Sequence, residues 1–193
     1  FAFIVDEYAE NYPFTYRAYE MNGLGYYLDV TENGPLFTEW LARFKPLSMY
    51  IISMLREVAN TIAMEITYEK RDEPGYQSAE TTLQEMYGSC RDTAWLLMQT
   101  LRALGVASRF VSGYLLQPHE VDALVEIEYH AWVECYIPGA GWLGIDPTSG
   151  LFTTEHHVTL ASDAVPENTA SVIGTTSPAK GGLSYTLSCR RLD

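Results

Sequence analysis

Residues 124–137 alternate between an apolar and a more polar set of side chains, and no other pattern constrains the fold of this chain as strongly. The odd-numbered positions from Val125 to Ile137 are apolar, whereas the even-numbered positions include Glu128 and His130. A period of two places the two sets on opposite faces of a β-strand. The sequence therefore predicts a long strand that buries one face against a core.

A helix and two further strands surround that strand in the sequence. Residues 90–104 have a helical period, and Gly105 stands where a glycine commonly ends a helix. The predicted buried stripe of the helix is Ala94, Leu97, Leu101 and Leu104. Strands are also predicted at residues 107–116 and 142–146, with a turn at 138–141 before the last one. These spacings suit a helix that leads into adjacent antiparallel strands.

The rest of the chain divides by composition. Residues 1–30 are rich in tyrosine, and apolar periodicity predicts helices at 36–44 and 48–64. Ser, Thr, Ala, Gly and Pro dominate the end of the chain. We expect one domain over residues 1–162, with 163–193 as a flexible or loosely attached tail.

Composition excludes several classes of function. With 12 basic and 25 acidic residues, the net charge of −13 repels phosphate backbones and anionic membranes, so no nucleic acid or membrane partner is expected. Three scattered cysteines do not form a disulfide scaffold. No signal peptide is recognised, and free thiols favour the cytoplasm. Because the first residue is not Met, we expect flanking domains in a longer chain.

Cys90 is the first candidate for chemistry. Gly88 precedes it by two residues, and Cys90 opens the predicted helix. The unpaired N–H groups and dipole at a helix N-terminus favour a thiolate, which is a nucleophile. The same N–H groups can bind an oxyanion. The alternative is a small, buried apolar cysteine.

His130 and Asp146 are the partners that this thiol would need. His130 lies on the polar face of its strand and could exchange a proton with Cys90. Asp146 ends the next strand and could orient the imidazole. Symmetric pairing about the 138–141 turn, however, sets Asp146 opposite residue 133, three residues from His130. A bulge or a shifted register is required; otherwise Glu128 is the rival orienting group.

The order of these blocks resembles the core of the bacterial transglutaminase-like superfamily. The blocks that carry the resemblance are residues 88–94, 101–114, 130–134 and 141–148. The resemblance implies a papain-like α+β fold, with the cysteine-bearing helix packed on an antiparallel sheet. It covers a catalytic core at residues 78–150, and the helical, tyrosine-rich part at 1–77 matches less distinctively.

The resemblance also implies catalytic roles. Cys90 would be the nucleophile, His130 the base and acid, and Asp146 the orienting carboxylate. Members of this family usually take a second oxyanion donor from upstream of the cysteine, and Gln84 and Tyr68 are both candidates.

Three other features have simpler interpretations. We expect Trp132 and Trp142 in the core or in the wall of the cleft. His119, His156 and His157 match no metal-site spacing, so no metal and no cofactor are predicted. Cys135 lies on the apolar face and is expected to be buried and inert.

The sequence therefore predicts a cysteine-dependent enzyme that transfers an acyl group from a peptide or protein amide through a thioester. Hydrolysis, as in a cysteine protease or amidase, is favoured over protein cross-linking. The alternative is a non-catalytic domain of the same fold that serves binding or assembly in a larger protein.

Overall fold

The computed structural model describes residues 4–71, 73–118, 124–172, 174 and 186–190, and the structural statements below refer to these residues. The helices are α1 (Ala18–Leu24), α2 (Pro35–Ala42), α3 (Ile51–Glu65), α4 (Ala79–Glu85) and α5 (Cys90–Ala103). The strands are β1 (Asn11–Tyr12), β2 (Met49–Tyr50), β3 (Thr67–Tyr68), β4 (Tyr87–Gly88), β5 (Ser108–Pro118), β6 (Leu124–Ile137), β7 (Gly141–Asp146), β8 (Leu151–Phe152), β9 (His157–Asp163) and β10 (Cys189–Arg190).

An antiparallel sheet dominates the second half of the chain. Its strands lie in the order β8-β7-β6-β5-β9, and β10 pairs with β6. The alternation of β6 has the predicted effect on its apolar face, where Ala131, Val133, Cys135 and Ile137 are buried. Helix α5 packs on β5 and β6, and Leu97 and Leu101 from its predicted stripe are fully buried. This arrangement confirms the α+β fold with the cysteine-bearing helix on an antiparallel sheet.

The turn between β6 and β7 is one residue shorter than symmetric pairing about residues 138–141 requires. Ile137 pairs with Gly141 and Val133 with Ile145, so Asp146 lies beside Trp132 instead of residue 133. Gly139 and Gly141 make the tight turn with positive φ angles of 87° and 79°. Because a slip of one residue reverses the face of every side chain, this register puts Asp146 on the same face as His130.

The sheet is curled rather than flat. Strands β8 and β9 lie at opposite ends of the strand order, yet only residues 153–156 connect them. In a flat sheet, four strand spacings and the offset along the strands would separate Phe152 from His157 by roughly 25 Å. Five residue steps span at most about 18 Å. The curl brings side chains from the two ends of the sheet toward each other.

The helices of the N-terminal part are tied to α4 and α5 by buried or half-buried polar groups. The Glu80 carboxylate of α4 accepts hydrogen bonds from the first backbone N–H groups of α2, at Leu36 and Phe37. Trp40 Nε1 donates to the Thr100 hydroxyl of α5 at 3.0 Å. Helix α3 begins at Ile51, later than the predicted residue 48, because Met49 and Tyr50 pair with β1 instead. The N-terminal part is therefore packed onto the helix that carries Cys90.

The segment after β9 is attached at its start. Ala164 and Thr169 are buried, and the Thr169 hydroxyl is 2.7 Å from that of Ser112 on β5. Arg102 of α5 donates to the Ala164 carbonyl oxygen at 2.8 Å. Most of the predicted tail beyond residue 172 lies outside the described residues. No helix in the described ranges combines the length and apolar character needed to cross a bilayer.

Candidate active site

Cys90 is the first residue of α5, as predicted, and its side chain is half-buried. Strand β4 delivers it: Gly88 pairs with Tyr68 of the parallel strand β3, and Ser89 then caps the helix. A side chain at Gly88 would press its Cβ to 2.8 Å from the Asp92 Cβ, so the close approach requires glycine. The thiol therefore sits where backbone N–H groups of the first turn are without helical partners.

Asp92 fixes the start of that helix. Its fully buried carboxylate accepts hydrogen bonds from the Ser89 backbone N–H at 2.7 Å, the Ser89 hydroxyl at 2.8 Å and the Gln77 backbone N–H at 2.6 Å. Arg71 Nε lies 2.9 Å from the same carboxylate. Because Asp92 is bonded to these groups, it anchors the turn that precedes the thiol.

His130 and Asp146 form a buried pair. His130 Nε2 lies 2.9 Å from Asp146 Oδ2, and both residues are less than a tenth exposed. The shifted register of β7 explains the contact, since Asp146 is a diagonal cross-strand neighbour of His130 on the same face. Glu128, the rival orienting group, is exposed, and His130 Nε2 bonds to Asp146 instead.

Hydrogen bonds determine the charge of this pair. Burial lowers the pKa of His130, but the hydrogen bond to Asp146 and the nearby Cys90 thiol outweigh it and raise this pKa to about 10. Burial raises the pKa of Asp146, but hydrogen bonds from His130, His157 and Thr148 hold it well below its usual range. An imidazolium beside a carboxylate is thus the favoured state at neutral pH. Because Nε2 faces Asp146, Nδ1 is the nitrogen left for the thiol.

Asp146 has two further partners, Thr148 and His157, that were not predicted from the sequence. Its Oδ1 accepts hydrogen bonds from the Thr148 backbone N–H at 2.8 Å and from the Thr148 hydroxyl at 2.7 Å. His157 Nε2, at the start of β9, lies 3.3 Å from Oδ2. A Thr two residues after an Asp is a local turn signal that a sequence can show. The contact with His157 depends on the curl of the sheet, which no local pattern indicates.

The two candidate oxyanion donors lie in different surroundings. Tyr68 is on β3 beside β4 and is 51% exposed, and partial burial together with the nearby Cys90, Glu128 and Asp146 raises the pKa of its hydroxyl. Its hydroxyl therefore stays protonated, as a hydrogen-bond donor, near Cys90. Gln84 is exposed on α4, and within the described ranges it makes no hydrogen bond to Cys90, His130 or Asp146.

The two tryptophans lie in different parts of the sheet, and only Trp132 is at the site. Trp132 is buried beneath the histidines, with ring centroids 6.3 Å from His130 and 5.3 Å from His157. It forms the floor of the site. Trp142 pairs with Tyr136 on β6, six residues and about 20 Å along the strand from His130. It packs against Tyr27 and Tyr136 and is not brought to the site.

The remaining predictions concern metal and thiol chemistry. His130, Asp146 and His157 offer ligand atoms that lie within 4.8 Å of one another, a grouping that sequence spacing did not indicate. His119 lies outside the described residues. Cys135 is fully buried, and burial raises its pKa to about 12, in line with the inert role expected from its position.

The comparison with protein families gives a match over more than half of the chain. A family model described as the transglutaminase-like superfamily matches residues 42–147, which include Cys90, His130 and Asp146. An uncharacterised protein of Mycobacterium tuberculosis is 30% identical over 115 residues, which are 56% of this chain and 37% of that protein. This chain therefore spans little more than a third of the length of that relative.

A protein-glutamine gamma-glutamyltransferase of Pseudomonas aeruginosa is 42% identical over 65 residues, which are 32% of this chain and 10% of that protein. Among solved structures, a candidate cysteine protease of Cytophaga hutchinsonii has a TM-score of 0.64 at 23% identity, covering 82% of this chain and 53% of that one. The periplasmic domain of TgpA from Pseudomonas aeruginosa has a TM-score of 0.52 at 23% identity, covering 65% and 48%. These two structures share the fold.

Proposed function

Because this chain belongs to the transglutaminase-like superfamily, we propose that it is an enzyme that transfers an acyl group from an amide through a thioester on Cys90. One observation carries the proposal: His130 is hydrogen-bonded at 2.9 Å to the buried Asp146 carboxylate and lies near enough to the Cys90 thiol for that thiol to raise its pKa. A nucleophile, a base and a group that orients the base recur wherever a thiol attacks a carbonyl.

The first half of the reaction uses the charged state of the pair. The Cys90 thiolate attacks the amide carbonyl carbon, and the carbonyl oxygen becomes an oxyanion. His130, whose pKa is raised to about 10, is protonated at neutral pH and gives its proton to the leaving nitrogen. The C–N bond breaks, an amine or ammonia leaves, and the thioester remains. Asp146 keeps the imidazole oriented throughout.

In the second half, neutral His130 accepts a proton from the incoming acceptor, which attacks the thioester and releases the Cys90 thiolate. We favour water as the acceptor, so that the products are a carboxylic acid and an amine. Cys90 is half-buried rather than enclosed, which leaves water access to the thioester. The substrate is a peptide or protein amide.

A primary amine is the second candidate acceptor. The gamma-glutamyltransferase of Pseudomonas aeruginosa is 42% identical over its matched 65 residues, and this likeness favours transfer of a glutamine acyl group to an amine. The two outcomes share every step up to the thioester, and they differ only in which nucleophile reaches it first.

We propose Tyr68 as the second oxyanion donor. Its protonated hydroxyl near Cys90 complements the backbone N–H groups at the start of α5. Replacing Tyr68 by Phe should lower kcat by about 10²–10³, the usual effect of removing one oxyanion donor. Gln84→Ala is the matched test of the other candidate, and a larger loss in that variant would assign the role to Gln84.

The function is tested with a glutamine-containing peptide, in the presence and absence of a primary amine. Ammonia release detects thioester formation, and mass spectrometry of the product separates the glutamate of hydrolysis from the amine adduct of transamidation. A mixed peptide library tests backbone cleavage in parallel. Cys90→Ala should abolish every product, because it removes the thiol on which the proposed thioester forms.

Cys135→Ala provides the matched control, since this buried thiol has no part in the reaction. Cys90 should react with iodoacetamide at neutral pH far faster than Cys135, and His130→Ala should slow that reaction. Activity that persists in Cys90→Ala would refute the mechanism. Equal and slow labelling of the two thiols, without turnover, would support the non-catalytic alternative.

A further inference from the structure

His157 lies in the candidate active site, but the proposed reaction assigns no role to it. It begins β9, ten residues beyond the end of the family match at residue 147. Its Nε2 lies 3.3 Å from Asp146 Oδ2, and its side chain is only 10% exposed. It reaches Asp146 from the opposite end of the sheet because the sheet curls.

A backbone contact determines which nitrogen of His157 carries the proton. The Thr154 backbone N–H donates to His157 Nδ1 at 3.2 Å. Nδ1 must therefore be the acceptor nitrogen, and the proton of a neutral ring lies on Nε2. His157 is thus arranged to donate a hydrogen bond to Asp146, as His130 does from the other side.

The same contact argues against a metal at this cluster. A neutral histidine that binds a metal through Nε2 carries its proton on Nδ1. That proton would point at the Thr154 N–H, and two donors would face each other. Although the ligand atoms of His130, Asp146 and His157 are close enough to share an ion, the backbone favours hydrogen bonding.

Asp146 then has a complete set of donors. His130 and His157 share Oδ2, and the Thr148 backbone N–H and hydroxyl share Oδ1. The floor of the site supports this arrangement, since the His157 ring meets the Trp132 ring edge-on at a centroid distance of 5.3 Å. Such a carboxylate cannot rotate without breaking several bonds.

We propose that His157 is a positioning residue, whose Nε2–H holds the Asp146 carboxylate in the orientation that directs His130 toward Cys90. It does not touch the reacting atoms. Its effect on turnover rests on the proposed function, whereas its effect on Asp146 does not.

Two variants of similar length separate the donor from the volume of the side chain. His157→Gln keeps an amide N–H that can reach Asp146, whereas His157→Met has no donor. The midpoint of the Asp146 carboxyl titration, followed by ¹³C NMR, reports on the hydrogen bond directly. We expect this midpoint to stay low in His157→Gln and to rise in His157→Met.

Turnover of the glutamine peptide gives the second readout. His157→Met loses a hydrogen bond to the charged Asp146 carboxylate, so kcat should fall about tenfold or more with little change in KM. His157→Gln keeps a donor and should retain most of the wild-type kcat. His156→Met is the control for a change beside the site and should keep the wild-type kcat. If His157→Met does not fold, His157→Leu replaces it as the variant without a donor.

Each outcome decides the proposal. Equal carboxyl midpoints and equal kcat in the Gln and Met variants would overturn it. One equivalent of Zn²⁺ bound by the wild type, with loss of that ion in both His157 variants, would also overturn it in favour of a metal site. If no amide is turned over by the wild type, the proposed function fails, but the carboxyl titration still tests His157.

Discussion

At the residue scale, the His130–Asp146 pair makes the stability of the protein depend on pH. The folded-state pKa of His130 is raised, so its contribution is complete below the unfolded value near 6.5 and is lost as the pH rises through about 10. The folded-state pKa of Asp146 is lowered, so its contribution is complete above about 4 and is lost as the pH falls. Both contributions are therefore complete between about pH 4 and 6.5.

Asp146→Asn removes the carboxylate that holds the charge on His130. Because the imidazole then keeps only the opposing effect of burial and its contact with Cys90, its pKa should fall from about 10. The loss of stability should be about 3–5 kcal/mol near pH 5–6, as for a broken buried ion pair, and smaller at pH 10. Urea unfolding at the two pH values measures this difference.

The same variant should move the alkaline limit of activity to lower pH, since protonated His130 must serve the leaving amine. ¹⁵N NMR of the His130 ring follows its titration without a substrate. A His130 midpoint that stays near 10 in Asp146→Asn would contradict the assigned cause of the shift.

At the element scale, β5 lies between the strands that carry His130 and His157. The position on β5 that faces both of these strands must be a glycine. Gly113 pairs with His130 on one side and with Thr159 on the other. A Cβ at this position would press on the Val158 carbonyl oxygen and come within 2.6 Å of Trp132 Cη2. The missing side chain lets the Trp132 ring lie across β5 beneath the histidines.

Gly113→Ala should therefore destabilise the protein by about 1–3 kcal/mol, as overpacking in a core does. It should also lower kcat, because Trp132 must move away from both histidines. Gly23→Ala in α1 is the control: its Cβ would meet open space, and alanine should stabilise the helix by about 0.5–1 kcal/mol. Thermal unfolding of the two variants measures the difference, and equal effects would refute the role of Gly113.

At the scale of the whole molecule, Tyr16 joins the N-terminal part to the sheet. Its buried hydroxyl donates to the Tyr136 carbonyl oxygen at 2.6 Å and accepts from the Ala107 backbone N–H at 3.0 Å. Burial raises the pKa of this hydroxyl, so it stays protonated and can make both bonds. The contact joins residues 120 apart in the sequence and ties the tyrosine-rich segment to the sheet.

Tyr16→Phe should cost about 1–3 kcal/mol, because it leaves the Ala107 N–H buried without a partner. The loss should appear as one shifted transition, recorded together by circular dichroism and tryptophan fluorescence. Tyr19→Phe, at a position that is 65% exposed, should change the stability by less than about 0.5 kcal/mol. Two separate transitions in Tyr16→Phe would mean that the N-terminal part unfolds on its own.

Local patterns in the sequence determined the elements that carry the chemistry. The start of α5 at Cys90, the bounds of β6 and the end of β7 at Asp146 agree with the predictions from periodicity and turn residues. Each of these element boundaries is set by residues a few positions apart, so the residues that cause it can be read in the local sequence. The start of α4 is also fixed locally, since the Ser78 hydroxyl accepts a hydrogen bond from the Thr81 backbone N–H at 3.0 Å.

Only the tertiary structure decided how these elements meet. A turn shorter by one residue placed Asp146 on the face of His130, which symmetric pairing had assigned to the other face. The curl of the sheet brought His157 to Asp146 across the strand order, and Trp142 turned out to lie far from the site. Turn length and sheet curvature depend on many contacts between distant parts of the chain, so no single stretch of sequence predicts them.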